Sequence, residues 1–468
     1  MVAVPKEFSD RSICVIGLGY VGLTLAVVMA EVGFDVLGIE VRADIVNDLS
    51  RGVSHVKEPG LSERLQRLLA RRSISFATRI PDGVPSRVFI LTVGTPLDGD
   101  GRVRLDMIQR ASTEVRDRMH HGDLIILRST VKLGTTRKLV LPILEASGVS
   151  FDLAFCPERT LEGQAMSELR VLPQIVGALT PSAISRTAHL FQFVTPTVIR
   201  VHDIETAEII KLIDNTYRDV SLAYANEVAR ICDAVGISAL EVIQAGKHGY
   251  ARTNVPLPGP VGGPCLEKDP HILVEGMREL GIEPEIAVAA RRINERQPAE
   301  IADYLLRLTV ALSGFPRSPS IALLGIAFKG RPPTDDLRGT MAKPILHELR
   351  MRFPNARFRG FDPMVSMEQI RAFGLQPCAT VEEAFAGAHL VIILNNHPTF
   401  AALPMETLAA TLVQPGLIYD FWNHAIASDL RLPPGTGYVA LGSHGRAALP
   451  AAIVPEATSI VEHGYARA

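Results

Sequence analysis

The sequence predicts an α/β protein in which two doubly wound, Rossmann-like domains are joined by a central helical domain with one long helix. Three observations carry this. Short β-branched runs alternate with helical stretches over the first part of the chain, the pattern of a parallel sheet covered by helices. The alternation restarts after the turn-rich stretch SGFPRSPS. Between the two lies one amphipathic segment of 34 residues, DIETAEIIKLIDNTYRDVSLAYANEVARICDAVG. At 468 residues the chain also exceeds what a single core organises. The expected domains are residues 1–202, 203–312 and 318–468.

Each element has its own signal. Strands are expected at SICVIG, DVLGIEV, RVFILTVG, DLIILRST, FDLAFC, QIVGA and TVIRV in the first domain. In the long helix apolar residues recur at Ile210, Ile213, Tyr217, Val220, Tyr224, Val228, Ile231 and Val235, in steps of three or four. Asp203 suits its N-cap and Gly236 its end. The third domain repeats the strand signal at SIALLGIAF, ARFRGFDP, HLVIIL, GLIYDF and GYVAL. The Ala-rich end after Gly442 carries no assignable pattern.

Composition excludes several classes. Lys and Arg number 48 against 50 acids, a formal net charge of −2, which argues against a nucleic-acid or membrane-surface protein. Five cysteines without a CxxC argue against a disulfide framework or a zinc site, so no metal is expected and a cytoplasmic protein is. The apolar stretch from Ile13 to Ile39 contains four glycines by Gly33, together with Glu31 and Asp35. It reads as strand, turn, helix and strand rather than as a membrane span.

The turn GLGYVG follows a strand and opens a helix. Gly17 permits the tight turn, Gly19 lets the backbone approach a pyrophosphate and Gly22 lets helix and strand pack, with Tyr20 and Val21 completing the turn. Glu40 lies eighteen residues beyond Gly22, where an acid holds a ribose diol and repels a 2′-phosphate. NAD is therefore expected over NADP, with Arg42 as the residue that argues the other way. Thr95 of VGTP and Thr130 of RSTV follow later strands and should face the same cofactor.

On the long helix Lys211 and Asn215 are four residues apart and share a face with Arg218 and Asn226. Such a stripe is either solvated or lines a cleft, where an ammonium and an amide would stabilise an oxyanion. Cys265 sits in GPVGGPCLEKDPHIL, either as a buried filler or as a thiol presented on a glycine turn before a helix start. Asp269 precedes Pro270, the pattern of an N-cap, which leaves a chemical role open.

The segments GLGYVGL, STV, CPER, IKLIDNTYRDVSLAYANEVARIC, GPVGGPCLEKDP and LLGIAFKGRPPTDDLRGT occur in the order found in the UDP-glucose/GDP-mannose dehydrogenase family, which the chain resembles over roughly residues 10–430. The resemblance implies an NAD-binding domain, a central domain that dimerises through its long helix, and a C-terminal domain that holds a UDP-sugar. It implies oxidation of C6 from alcohol to carboxylate by two hydride transfers, with Cys265 forming a thiohemiacetal and then a thioester. Lys211 and Asn215 would stabilise the C6 oxygen, Asp269 and Thr130 would hold the catalytic water, and Glu158 would assist thioester hydrolysis. Lys329 and Arg338 would meet substrate phosphates or cofactor, Arg252 would reach the sugar from the neighbouring subunit, and Gly262 would lie at the substrate.

Three departures from the family pattern stand out. Pro264 precedes the cysteine where His or Ser is usual. ILNNHPTF and YDFWNHA differ from the usual C-terminal loops. Arg159 replaces an aromatic residue of UDP-glucose enzymes, which makes the chain similar to the N-acetylhexosamine branch, with UDP-ManNAc or UDP-GlcNAc as expected substrate. The alternatives are a UDP-glucose 6-dehydrogenase, a two-electron hydroxyacid dehydrogenase, which would need neither Cys265 nor the second α/β domain, and a nucleotide-sugar-binding protein without turnover.

Overall fold

All strands expected from the sequence form, and two short ones join them. The first sheet contains β1 (Ser12–Ile16), β2 (Asp35–Ile39), β3 (Ile74–Ala77), β4 (Val88–Leu91), β5 (Asp123–Leu127), β6 (Phe151–Phe155), β7 (Gln174–Ala178) and β8 (Val198–Arg200). The second contains β9 (Ser320–Leu324), β10 (Arg357–Phe361), β11 (Gln376–Pro377), β12 (Leu390–Ile393), β13 (Gly416–Asp420) and β14 (Thr436–Ala440). Strands β3 and β11 escape the sequence reading because ISFA and QP are too short to show a pattern. The computed structural model describes residues 3–450, so the last part of the expected domain 318–468 and the Ala-rich end beyond 450 lie outside the described residues.

The chain divides into two compact units, Met1–Thr216 with Lys268–Glu283, and Tyr217–Glu267 with Pro284–Ala468. The helical stretch 203–312 is thus shared between them, and the division falls within the long helix Ile204–Val235. Asp203 accepts the Thr206 N–H at 2.7 Å, and the helix stops before Gly236, as the sequence predicts.

In the first unit the strand order is β3-β2-β1-β4-β5-β6-β7-β8. Strands β1 to β6 are all parallel, and alternate residues of each central strand feed opposite cores. Ile13 and Val15 join Leu23, Val27 and Val28 on one face, while Cys14 and Ile16 join Ile108 and Val115 on the other. Both faces are buried, which is why these strands read as continuous apolar runs. Strand β7 departs from the expected parallel sheet by pairing antiparallel with β6. The chain leaves β6 and enters β7 at the same end, so residues 156–173 stay at the carboxyl end of the sheet, where ligands of doubly wound folds bind.

The second unit repeats the doubly wound order, β11-β10-β9-β12-β13-β14, with every pair parallel. Here too β9 alternates, Ile321 and Leu323 into one core and Ala322 and Leu324 into the other. Among the described residues no helix is long and apolar enough to cross a membrane.

The long helix buries a mixed face, with Lys211, Asn215, Asp219 and Asn226 buried beside Leu212, Ala225, Ala229 and Cys232, while Tyr217 72%, Tyr224 55% and Ile231 58% of its apolar stripe are exposed.

Candidate active site

The dinucleotide turn is built by close backbone approach. Gly17 has φ +92°, and a Cβ there would lie 2.9 Å from the Val93 side chain, so the turn after β1 packs directly on the turn after β4. A Cβ on Gly22 would meet the Gly17 carbonyl at 1.9 Å, which brings the helix Tyr20–Val32 onto the turn as a glycine alone allows. Above Gly19 a Cβ would find nothing within 4 Å, which leaves room for a pyrophosphate over the helix N-terminus.

Glu40 is oriented by two amides, Leu18 N–H and Arg42 N–H, each at 3.2 Å. The Arg42 guanidinium pairs with Asp44 at 2.8 Å on the exposed surface. These residues fit NAD. The Thr95 hydroxyl donates to the Thr130 carbonyl at 2.6 Å and so ties VGTP to RSTV.

The side of the long helix that packs carries several of its polar residues. Glu208 is buried, accepting from Gly134 N–H, Thr136 N–H and the Thr136 hydroxyl, and it fastens the helix start to the loop after RSTV. Leu212, Ile272 and Leu273 form a small core with Ile209 and Met277, pressing the helix Asp269–Arg278 against it. Asp269 is thereby fully buried. It does not cap its helix: the N-cap position falls on Lys268, and the Asp269 carboxylate accepts the Asn215 amide at 2.5 Å and the Lys268 ammonium at 2.8 Å. Lys211 and Asn215 are buried rather than solvated, whereas Arg218 is exposed.

Glu158 stands at the carboxyl end of β6 in the retained segment. The Arg128 guanidinium grips its Oε2 at 2.5 and 3.1 Å, and the Arg159 and Thr160 N–H groups each donate to Oε1 at 2.7 Å. Burial alone would raise this carboxyl. The Arg128 charge, the Thr160 amide and Lys211 outweigh it, and the group lies below its ordinary value. Glu158 is therefore a fixed anion with both oxygens engaged. Arg159 reaches Asp214 at 3.4 Å and the Pro173 carbonyl at 2.9 Å.

In the second unit GPVGGPC packs on LRGTM. Gly263 N–H donates to the Gly339 carbonyl at 2.7 Å, and a Cβ on Gly262 would come within 2.3 Å of the same oxygen. The Asn226 side chain both accepts from and donates to Gly259, and Arg291 donates to the Leu266 carbonyl at 3.0 Å while paired with buried Asp219 at 2.6 Å. Cys265 is thus an exposed thiol on a turn pinned at both sides. The other four cysteines are buried, and burial pushes Cys156 up to about 12 and holds Cys14, Cys232 and Cys378 above their ordinary value. Arg338 forks onto Asp336, Lys329 lies 5.1 Å from the Phe328 ring centroid, and exposed Arg252 lies over Tyr250.

Sequence reasoning overlooked Arg128, Asp219, Arg291 and Glu58, the last of which accepts the Tyr20 hydroxyl and the Gly163 N–H. Their partners are distant in the chain, and a charge in sequence is most often solvated. The adjacency of Arg128 to STV was the one usable signal.

The sequence matches the UDP-glucose/GDP-mannose dehydrogenase family in three parts: its NAD binding domain over residues 11–195, its central domain over 205–296 and its UDP binding domain over 322–426. The chain is 33% identical to a UDP-N-acetyl-D-mannosamine dehydrogenase of Pyrococcus horikoshii, covering 86% of this chain and 93% of that one. It is 30% identical to an NDP-N-acetyl-D-galactosaminuronic acid dehydrogenase of Ralstonia nicotianae, covering 87% and 96%. The solved structure of UDP-D-ManNAc dehydrogenase from Pyrococcus horikoshii superposes with a TM-score of 0.82 at 30% identity, over 93% of this chain and 100% of that one.

Proposed function

The chain belongs to the UDP-glucose/GDP-mannose dehydrogenase family, and from that premise we propose that it oxidises C6 of a UDP-N-acetylhexosamine, UDP-ManNAc or UDP-GlcNAc, to the carboxylate through a thioester on Cys265. It is an NAD-dependent enzyme, and bound NAD supplies the hydride acceptor for each oxidation. One observation carries the covalent part of the reading: of five thiols only Cys265 is exposed, and it precedes the buried Asp269 by four residues.

The residues divide the work as follows. In the first oxidation the C6 hydroxyl loses its proton to a water held by Asp269 and Thr130, and C6 loses a hydride. The oxygen charge that develops is met by the Lys211 ammonium and the Asn215 amide. Cys265 sulfur then bonds to the aldehyde carbon, its proton passing to the C6 oxygen. Loss of the second hydride from that adduct, with the hydroxyl proton, leaves the thioester. Water attacks the thioester carbon, the C–S bond breaks and the thiol is restored. Glu158 enters this scheme as a fixed negative charge near Lys211, since its oxygens are already engaged. Lys329 meets the substrate diphosphate, Arg338 meets the cofactor, and Arg252 serves the sugar of a neighbouring subunit. The open stripe of Tyr217, Tyr224 and Ile231 supports a homodimer formed on the long helix. In this reading residues 1–202, 203–312 and 318–468 are the cofactor, helical and UDP-binding segments.

The N-acetylated substrate is supported by Arg159 and by the names of both relatives. The test is a panel of UDP-sugars followed by NADH absorbance, with NADH counted per uronate. Two NADH per product are expected, with Cys265→Ala arrested at the aldehyde and Cys265→Ser stalling later. Turnover of UDP-glucose alone overturns the substrate. Near-normal uronate from Cys265→Ala overturns the thioester.

A further inference from the structure

Tyr20 belongs to the dinucleotide turn and opens its helix. Its hydroxyl donates to Glu58 and accepts the Gly163 N–H at 2.8 Å. Glu58 in turn accepts the same Gly163 N–H at 2.8 Å and the Met166 N–H at 3.3 Å. Three segments far apart in sequence therefore meet on one carboxylate that is only 8% exposed. The segment they fasten, Gly163–Met166, directly follows Glu158, Arg159 and Glu162, and it is the stretch that the reversal at β7 keeps at the carboxyl end of the sheet. Burial and the hydrogen bond to Glu58 raise the Tyr20 phenol far above its ordinary value, so it remains a neutral donor at any working pH.

A buried carboxylate is a costly way to hold two loops together. Desolvating it must be offset by every donor it receives, and apolar packing would give comparable stability. What a satisfied polar network adds is one defined geometry. Its donors here are the turn over which the pyrophosphate would lie and the amides of the loop that carries the substrate-side residues. We infer that Glu58 is a positioning residue that couples occupation of the dinucleotide turn to the ordering of residues 156–166, so that bound NAD prepares the loop on which the sugar is read. The inference rests on the NAD assignment and not on the identity of the hexose.

Hydrogen exchange read by mass spectrometry on the full chain tests it without any sugar present. Peptides covering 156–166 are followed with and without NAD, in the native chain and in Tyr20→Phe and Glu58→Gln, each at NAD concentrations shown by fluorescence titration to be saturating. In the native chain NAD should slow exchange of this segment by about tenfold, the scale of one charge-assisted hydrogen bond. In Tyr20→Phe that slowing should be lost although NAD still binds. Glu58→Gln, which keeps an acceptor but not the charge, should fall between. Equal NAD-dependent slowing in all three proteins, or none in the native chain, overturns the coupling. A variant that melts earlier yet keeps the native slowing shows a merely structural network and overturns it as well. Because the readout needs only NAD, a failed hexose assignment leaves the result interpretable.

Discussion

Replacing Asp269 separates its structural contribution from its chemical one. The carboxylate is fully buried and accepts from Asn215 at 2.5 Å and Lys268 at 2.8 Å. In Asp269→Ala the buried Asn215 amide loses a charged acceptor, a cost of about 1.5–3 kcal/mol. The Lys268 ammonium is 23% exposed and keeps partial access to water, so its lost pairing adds only about 0–1 kcal/mol. The total, about 1.5–4 kcal/mol, corresponds to a melting temperature lowered by roughly 3–15 °C for a unit of this size. Asp269→Asn retains an acceptor of the same shape and should cost less than about 1.5 kcal/mol. Both variants lose the group that would hold the catalytic water, so both should lose about 100- to 10,000-fold in kcat. Melting curves together with NADH release under saturating substrate read the two effects. If Asp269→Asn keeps kcat within about threefold of the native value, the carboxylate is a structural anchor and its assignment to catalysis is refuted.

Two further perturbations follow. Glu40→Ala should narrow the preference for NAD over NADP by about tenfold in kcat/KM, equivalent to about 1.4 kcal/mol. A native preference for NADP would show that Arg42 leaves Asp44 for the 2′-phosphate. Glu158 is held below its ordinary value in the folded protein, so its stabilisation is present above about pH 4.3 and is lost as pH falls through the lower folded value. Glu158→Gln should therefore melt lower than the native chain at neutral pH, with the gap closing in acid. A gap independent of pH would mean that the Arg128–Glu158 pair contributes nothing through its charge.

Much of the fold and part of the site were legible in the order of residues. Strand runs such as CVI, FIL and LIIL identify themselves because both faces of a doubly wound sheet are buried, so every position must be apolar. GLGYVG and Glu40 are legible for a related reason: the turn needs Gly17 with positive φ and Gly22 without a Cβ, demands that few sequences meet by chance. Spacing alone also put Lys211 and Asn215 on one helix face and Cys265 on a glycine turn. Tertiary structure decided what those groups meet. Whether a polar stripe is wet or buried depends on what packs against it, and here the small core around Leu212 and Ile272 buries Lys211 and Asn215 while Tyr217 and Tyr224 stay open. Asp269 looked like a helix cap until folding turned its carboxylate to Asn215, 54 residues away in sequence. The charges of Arg128, Arg291 and Glu58 carry no local pattern, because their partners are distant in the chain. Only the closed fold removes water from these groups, and with it the alternative to pairing.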